Sequence, residues 1–180
     1  MKIRKNLLLS STGIGLGLSP ILLIYFIIQT YNRQAASLPY SLLILGILFL
    51  LIGAAGVFVW LYQMWDFVQK GFPRTNPRKA VGFLLIPFYN FYWVFQAFWG
   101  FARDFNRYIE LWVLDVEPLS ELIFIALSVF TLAAWLFCWI PIIGQIFYIV
   151  HYVLLLKCMS QSIDAVQKAI KQQMATPTYY

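Results

Sequence analysis

The chain has 180 residues, of which 62% are hydrophobic and only 11% charged, with a mean hydropathy of +0.76. A soluble globular domain carries about a quarter charged residues, so this composition excludes a soluble enzyme and makes the bilayer the solvent. The two longest hydrophilic stretches, 63–79 and 102–121, are each too short for a soluble domain, which needs at least ~50 residues. The formal charge of +6 comes from thirteen Lys and Arg at the ends of apolar segments, a placement that favours anionic lipid headgroups over nucleic acid as a partner.

The start, MKIRKNLLLSSTGIGLGLSPILLIYFII, has a basic front and an apolar run with no small-x-small cleavage site soon after it. It reads as an uncleaved first helix, spanning about 6–28. Ser11, Gly15 and Ser19, with Gly13 and Gly17 beside them, form small-residue lines on which another helix can approach closely. Pro20 removes one ladder bond and predicts a kink. A second span, about 41–62, is free of charge and carries Gly46, Gly53, Ala54 and Gly56; Trp60, Tyr62 and Trp65 at its end suit the headgroup level. The stretch DFVQKGFPRTNPRK that follows holds two prolines, a glycine and four bases and predicts a polar loop.

Residues 80–113 pose the topological question. Ten aromatic residues lie between Phe83 and Phe101, with Pro87 and Asn90 among them. Further spans follow at about 119–139 and 142–158, separated by the IPIIG break. If 84–101 crosses the membrane there are five spans, and Lys and Arg divide seven against six between the two faces. If it dips in and returns there are four spans, and twelve bases share one face while only Arg33 lies opposite. The positive-inside rule selects the second arrangement: an all-α integral membrane protein of four transmembrane helices plus an aromatic re-entrant or interfacial helix, in one domain over 1–180, with both termini cytoplasmic. Five transmembrane helices is the alternative.

In the four-span arrangement the 70–79 loop shares a face with five of the seven acids, which lie between Asp104 and Glu121, and can pair with them. Pro87 predicts a turn at IPFYN, with an inbound arm over 80–86, about 23 Å if extended. One amphipathic return helix is expected from 88 to about 113. FLLIPFYN at 83–90 echoes FCWIPIIG at 137–144, and Arg103 and Lys157 each stand sixteen residues beyond the proline, which supports two hairpins turning at I-P. The last helix is expected to continue past Lys157 into water, with a loose tail over 172–180.

Candidate chemistry is sparse. His151 is the single histidine, within the last span; it reads either as a haem or pigment contact or as a neutral side chain bonded to a facing helix. Asn90, Gln96 and Gln145 are polar groups at membrane depth, able to line a pocket near the two I-P turns or to satisfy backbone and neighbouring helices. Trp93, Trp99, Arg103 and Arg107 are the candidates for lipid or partner contact. Cys138 and Cys158 read as small buried hydrophobes. GIGLG lies inside an apolar helix and is no phosphate loop. No metal site, catalytic residue or resident cofactor is expected.

Residues 81–108, VGFLLIPFYNFYWVFQAFWGFARDFNRY, resemble small bacterial membrane proteins of unassigned function that bear I-P-x-x-N-x-Y-W before a basic, Asn-containing helix, some attached to GYF-like domains. Ile86, Pro87, Asn90, Tyr92, Trp93, Arg103 and Asn106 carry the likeness. It implies a bacterial multi-pass protein of the inner membrane and no activity; a GYF-like domain has no room in this chain. The function expected is a non-enzymatic accessory or scaffold subunit of a larger membrane assembly, bound to lipids and to other subunits or copies of itself. A small transporter or channel, and a pigment- or haem-contacting subunit, are the alternatives.

Overall fold

The computed structural model describes residues 4–31 and 40–175. They are helical throughout, with no strand among the described residues. Three helices, Lys5–Tyr31, Tyr40–Gly71 and Ile142–Ala175, are long and apolar enough to cross a membrane. The described chain divides into two compact units, Arg4–Val59 and the part that begins at Trp60. Arg33 and residues 176–180 lie outside the described residues.

The first unit pairs α1 (Lys5–Tyr31) with the first part of α2 (Tyr40–Phe67). Lipid tails are as apolar as leucine, so helices pair there by close packing rather than by hydrophobic exclusion. Leu8, Thr12, Gly15 and Ser19 form the buried line of α1. A Cβ on Gly15 would sit 2.6 Å from the carbonyl oxygen of Phe49, and one on Gly53 would sit 2.7 Å from the backbone nitrogen of Leu16, so the backbones touch where the small residues meet. Pro20 leaves the Leu16 carbonyl without its helical donor, and the Ser19 hydroxyl donates to that oxygen at 3.3 Å.

The second unit departs from the sequence expectation at several boundaries. The stretch expected as a loop is largely helical: α2 runs to Phe67, a 3₁₀ turn covers Val68–Gly71, and α3 (Pro77–Gly82) starts where the Asn76 side chain accepts from the Lys79 backbone N–H at 2.8 Å, with Pro77 at the first helical position. The inbound arm continues as a 3₁₀ turn over Phe83–Leu85. It is therefore coiled, not extended, and from Pro77 to Leu85 the chain advances only roughly 13 Å at about 1.5 Å per residue. After Pro87, Phe88 takes φ 63°. The return helix is then α4 (Tyr89–Ala97) and α5 (Trp99–Leu111), interrupted at Phe98. The expected span 119–139 is α6 (Glu121–Leu136), only 16 residues, about 24 Å against a hydrocarbon core of ~30 Å. The last helix, α7 (Pro141–Ala175), is unbroken for 35 residues and continues past Lys157 as the sequence predicts.

α4 and α5 run antiparallel to α6: Phe91 packs edge-on to Trp135, Phe101 against Phe124, and Asn106 binds Leu119. α6 and α7 form a second hairpin through Phe137 with Phe147 and Thr131 with His151. The two echoing sequences thus become two turns side by side, since Phe91 and Trp135 each lie one or two helical turns from a proline.

Much of the buried core lies at the charged end. Trp60, Leu61, Met64 and Trp65 of α2, Ala97, Phe101 and Phe105 on the return helix and Met159, Ile163 and Val166 of α7 are all buried, with Trp60 stacked on Phe98 and Trp65 edge-on to Phe101. The sequence places Trp60 and Trp65 at the headgroup level; both are instead core side chains, donating through Nε1 to Ser162 Oγ at 2.9 Å and to the Ala97 carbonyl at 3.0 Å. Tyr62, between them, is exposed. Cys158 is buried as expected, whereas Cys138 is exposed at the second turn.

Candidate functional site

The richest cluster of polar side chains lines a recess of about 400 Å³ bounded by Arg74, Arg103, Asp104, Asn106, Arg107, Glu110 and Glu121. Its floor is α5, whose sequence alternates between two faces. Phe101, Ala102, Phe105, Tyr108 and Ile109 are buried, and Arg103, Arg107 and Glu110 are exposed.

Arg74 and Asp104 form the central pair. Arg74 donates from Nε to Asp104 Oδ1 and from its backbone N–H to Oδ2, each at 2.9 Å. The loop and the acidic helix therefore meet. Arg107 donates through Nη2 to the carbonyls of Phe72 at 3.1 Å and Gly71 at 3.4 Å, capping the oxygens left open where the 3₁₀ turn ends. Asn106 bridges the chain just before α6: its Nδ2 donates to the Leu119 carbonyl at 2.9 Å, and its Oδ1 accepts from the Leu119 N–H at 2.7 Å. Trp99 donates to Glu121 Oε2 at 3.0 Å, and the Arg103 guanidinium lies 5.0 Å above its ring, a cation–π contact that leaves the guanidinium facing outward. No carboxylate pairs with Arg103 among the described residues.

The sequence-derived candidates separate. Trp99, Arg103 and Arg107 gather here, and Arg103 and Arg107 are exposed. Trp93 does not join them: it is buried, stacked on Tyr89, edge-on to Phe83, and bonded through Nε1 to the Ala80 carbonyl at 3.1 Å. It is a packing residue that ties α3 to α4. Gln96 bonds the Tyr92 hydroxyl one turn away at 2.9 Å. Asn90 lies in the first turn of α4, where its Oδ1 is buried without a hydrogen-bond partner. Gln145 is half-buried in the first turn of α7. Among the described residues these three do not bond one another.

His151 Nδ1 lies 3.1 Å from Thr131 Oγ1, and that hydroxyl donates to the Leu127 carbonyl at 2.7 Å. With the single hydroxyl proton assigned to Leu127, the tautomer that satisfies both contacts is the one that donates from Nδ1 and keeps the lone pair on Nε2. A haem or pigment contact would have to use that atom. Among the described residues no three His, Cys, Asp or Glu side chains converge as metal ligands.

Asn106, Ser162, Gly71 and Gln173 also build this end of the molecule, although the sequence does not mark them as site-forming. Gly71 lies against the Tyr108 ring, and Gln173 donates to the Tyr108 hydroxyl at 2.7 Å. The one legible signal is Asn106 on the polar face of an amphipathic helix between Arg103 and Arg107. A scan against protein-family models, a search of curated proteins and a search of solved structures return no match for this chain.

Proposed function

We propose that the chain is a non-enzymatic integral membrane subunit that serves as an accessory or scaffold in a larger assembly of the bacterial inner membrane. The observation that carries this reading is where its polar groups are spent. Arg74, Asp104, Asn106, Arg107, Trp65 and Trp93 all bind the chain's own backbone or one another, and Trp60 binds the Ser162 hydroxyl. Large apolar side chains along α1, α2 and the two turns remain exposed, which suits contact with lipid and with other membrane helices.

In this reading both termini, the 70–79 loop and the 102–121 segment are cytoplasmic. The pairing of Arg74 with Asp104 supports that placement, because a crossing at 84–101 would put a membrane between the two. α1 and α2 cross, and the aromatic segment 80–113 and the α6–α7 hairpin both enter from the cytoplasmic face and return to it. Arg103 over Trp99 is the group offered to anionic headgroups or to an acidic partner. The likeness at 81–108 supplies the bacterial placement.

Extraction into native nanodiscs or mild detergent, followed by identification of what co-purifies, tests the function. A stoichiometric membrane-protein partner is expected, and a free monomer alone overturns it. A transporter is the second reading, favoured by the unpartnered Asn90 oxygen beside a helix break; solute flux in reconstituted vesicles that is lost in Asn90→Leu would establish it.

A further inference from the structure

We infer that the α6–α7 hairpin is a second re-entrant element: its tip, Phe137 to Ile143, stays among the acyl chains below the far headgroups instead of emerging into water. This rests on the reading that both hairpins insert from the cytoplasmic face.

Length is the first argument. α6 begins at Glu121 and has 16 residues. On α7, Lys157 is the first charge after the turn at Pro141, so the charge-free part of that helix is equally short. Each arm advances ~24 Å, about 6 Å less than the hydrocarbon thickness. By contrast α1 and α2 have 27 and 28 residues.

Composition is the second. From Leu132 to Gly144 the sequence LAAWLFCWIPIIG contains no charged, amide or hydroxyl side chain. Trp139 is 87% exposed and Ile142 76%. A turn in water would hold these groups against solvent, whereas acyl chains accept them. Trp139, a few ångströms below the far headgroups, can still present its indole N–H to them.

Backbone satisfaction is the third. Hydrocarbon offers a peptide group no hydrogen-bond partner, so each internal pairing lowers the cost of placing irregular chain there. At this turn Phe137 N–H donates to Ala133, Ile140 to Phe137 and Gly144 to Ile140, at 2.7–2.9 Å. The aromatic turn is built alike: Ile86 donates to Phe83, Tyr89 to Pro87, Asn90 to Ile86 and Phe91 to Phe88. Phe88 at its tip is 84% exposed. Since Phe91 packs on Trp135, the two tips are neighbours in one apolar layer, and the occupant of the surface they present is lipid hydrocarbon.

The native thiol of Cys138 tests this without altering the protein. The full chain in intact cells and in inverted membrane vesicles is treated with a membrane-impermeant maleimide, and labelled peptides are located by mass spectrometry. Cys138 is expected to react from neither side and to react once detergent is added. A nitroxide attached there is expected to collide with dioxygen and not with a water-soluble nickel chelate. Labelling of Cys138 from outside the cell overturns the inference and leaves a full crossing. Low access to both collision partners overturns the lipid contact and places protein over the tip. Labelling of Arg103→Cys from outside instead overturns the shared orientation of the hairpins, so the two failures are distinguishable.

Discussion

Asp104 accepts two hydrogen bonds from Arg74, one from the guanidinium Nε and one from the backbone N–H, each at 2.9 Å, across a separation of 30 residues. The carboxylate side chain is 5% exposed and the arginine 41%. The burden is therefore uneven. Asp104→Ala removes both bonds and strands a backbone donor, a loss of about 2–3 kcal/mol, while Arg74→Ala keeps the backbone bond and forfeits about 1 kcal/mol. Thermal unfolding in detergent micelles is expected to rank them so. The reversed pair, Arg74→Asp with Asp104→Arg, is expected not to restore stability, because the loop N–H no longer finds an acceptor.

Asn106 holds the chain into α6 by a donor and an acceptor on the same residue, Leu119. Asn106→Ala is expected to lower stability by about 2 kcal/mol, and Asn106→Asp by less, since the carboxylate retains the acceptor and loses only the donor. Hydrogen exchange of the Leu119 amide is the direct reading: protection is expected to fall in the alanine variant and persist in the aspartate variant.

Close approach of α1 and α2 depends on the absence of side chains. A Cβ on Gly53 would lie 2.7 Å from the Leu16 backbone nitrogen, and a Cβ on Gly82 would meet nothing within 4 Å. Gly53→Ala is expected to push the helices apart at a cost of about 1–3 kcal/mol. Gly82→Ala, at the end of α3, is expected to be neutral or to stabilise by a few tenths of a kcal/mol. Equal melting temperatures for the two variants would contradict the packing described.

Thr131 and His151 link α6 to α7. Interhelical bonds of this kind couple by about 0.6 kcal/mol at membrane depth. A double-mutant cycle on Thr131→Val and His151→Phe is expected to return a coupling of that size, and nitrogen-15 shifts are expected to report the proton on Nδ1. A coupling near zero would free His151 from a structural role and strengthen the pigment reading, which a coloured purified protein would then support.

Much of this organisation is legible in the amino-acid sequence. The charge-free runs at Ser41–Tyr62 and around 142–156 and the small residues on α1 mark helices apolar enough to cross a membrane and the faces that approach closely. Pro87 marks a real turn, and counting bases places the 70–79 loop beside the acids, where Arg74 and Asp104 meet. Other features are not legible there. Trp60, Trp65 and Trp93 have the same character as interfacial tryptophans, and only their neighbours put them in the core. The helix over 77–82 hides in a stretch rich in prolines and bases, because Pro77 at a first helical position and Pro73 in a loop look alike until the Asn76 cap is seen.

The division has a physical cause. Hydropathy measures the preference of a residue for a medium of low dielectric, and a lipid tail and a protein interior satisfy that preference equally. Residue order alone is enough to make the chain helical with segments apolar enough for a membrane, and its charge distribution favours one face for nearly all its bases. Tertiary packing decides which apolar side chains face protein and which remain exposed, which polar groups are spent on the chain's own backbone, and which side chains pair α6 with the return helix and with α7. Those properties belong to pairs of residues distant in the chain, such as Arg74 with Asp104, Asn106 with Leu119 and Phe91 with Trp135, and no single segment contains them.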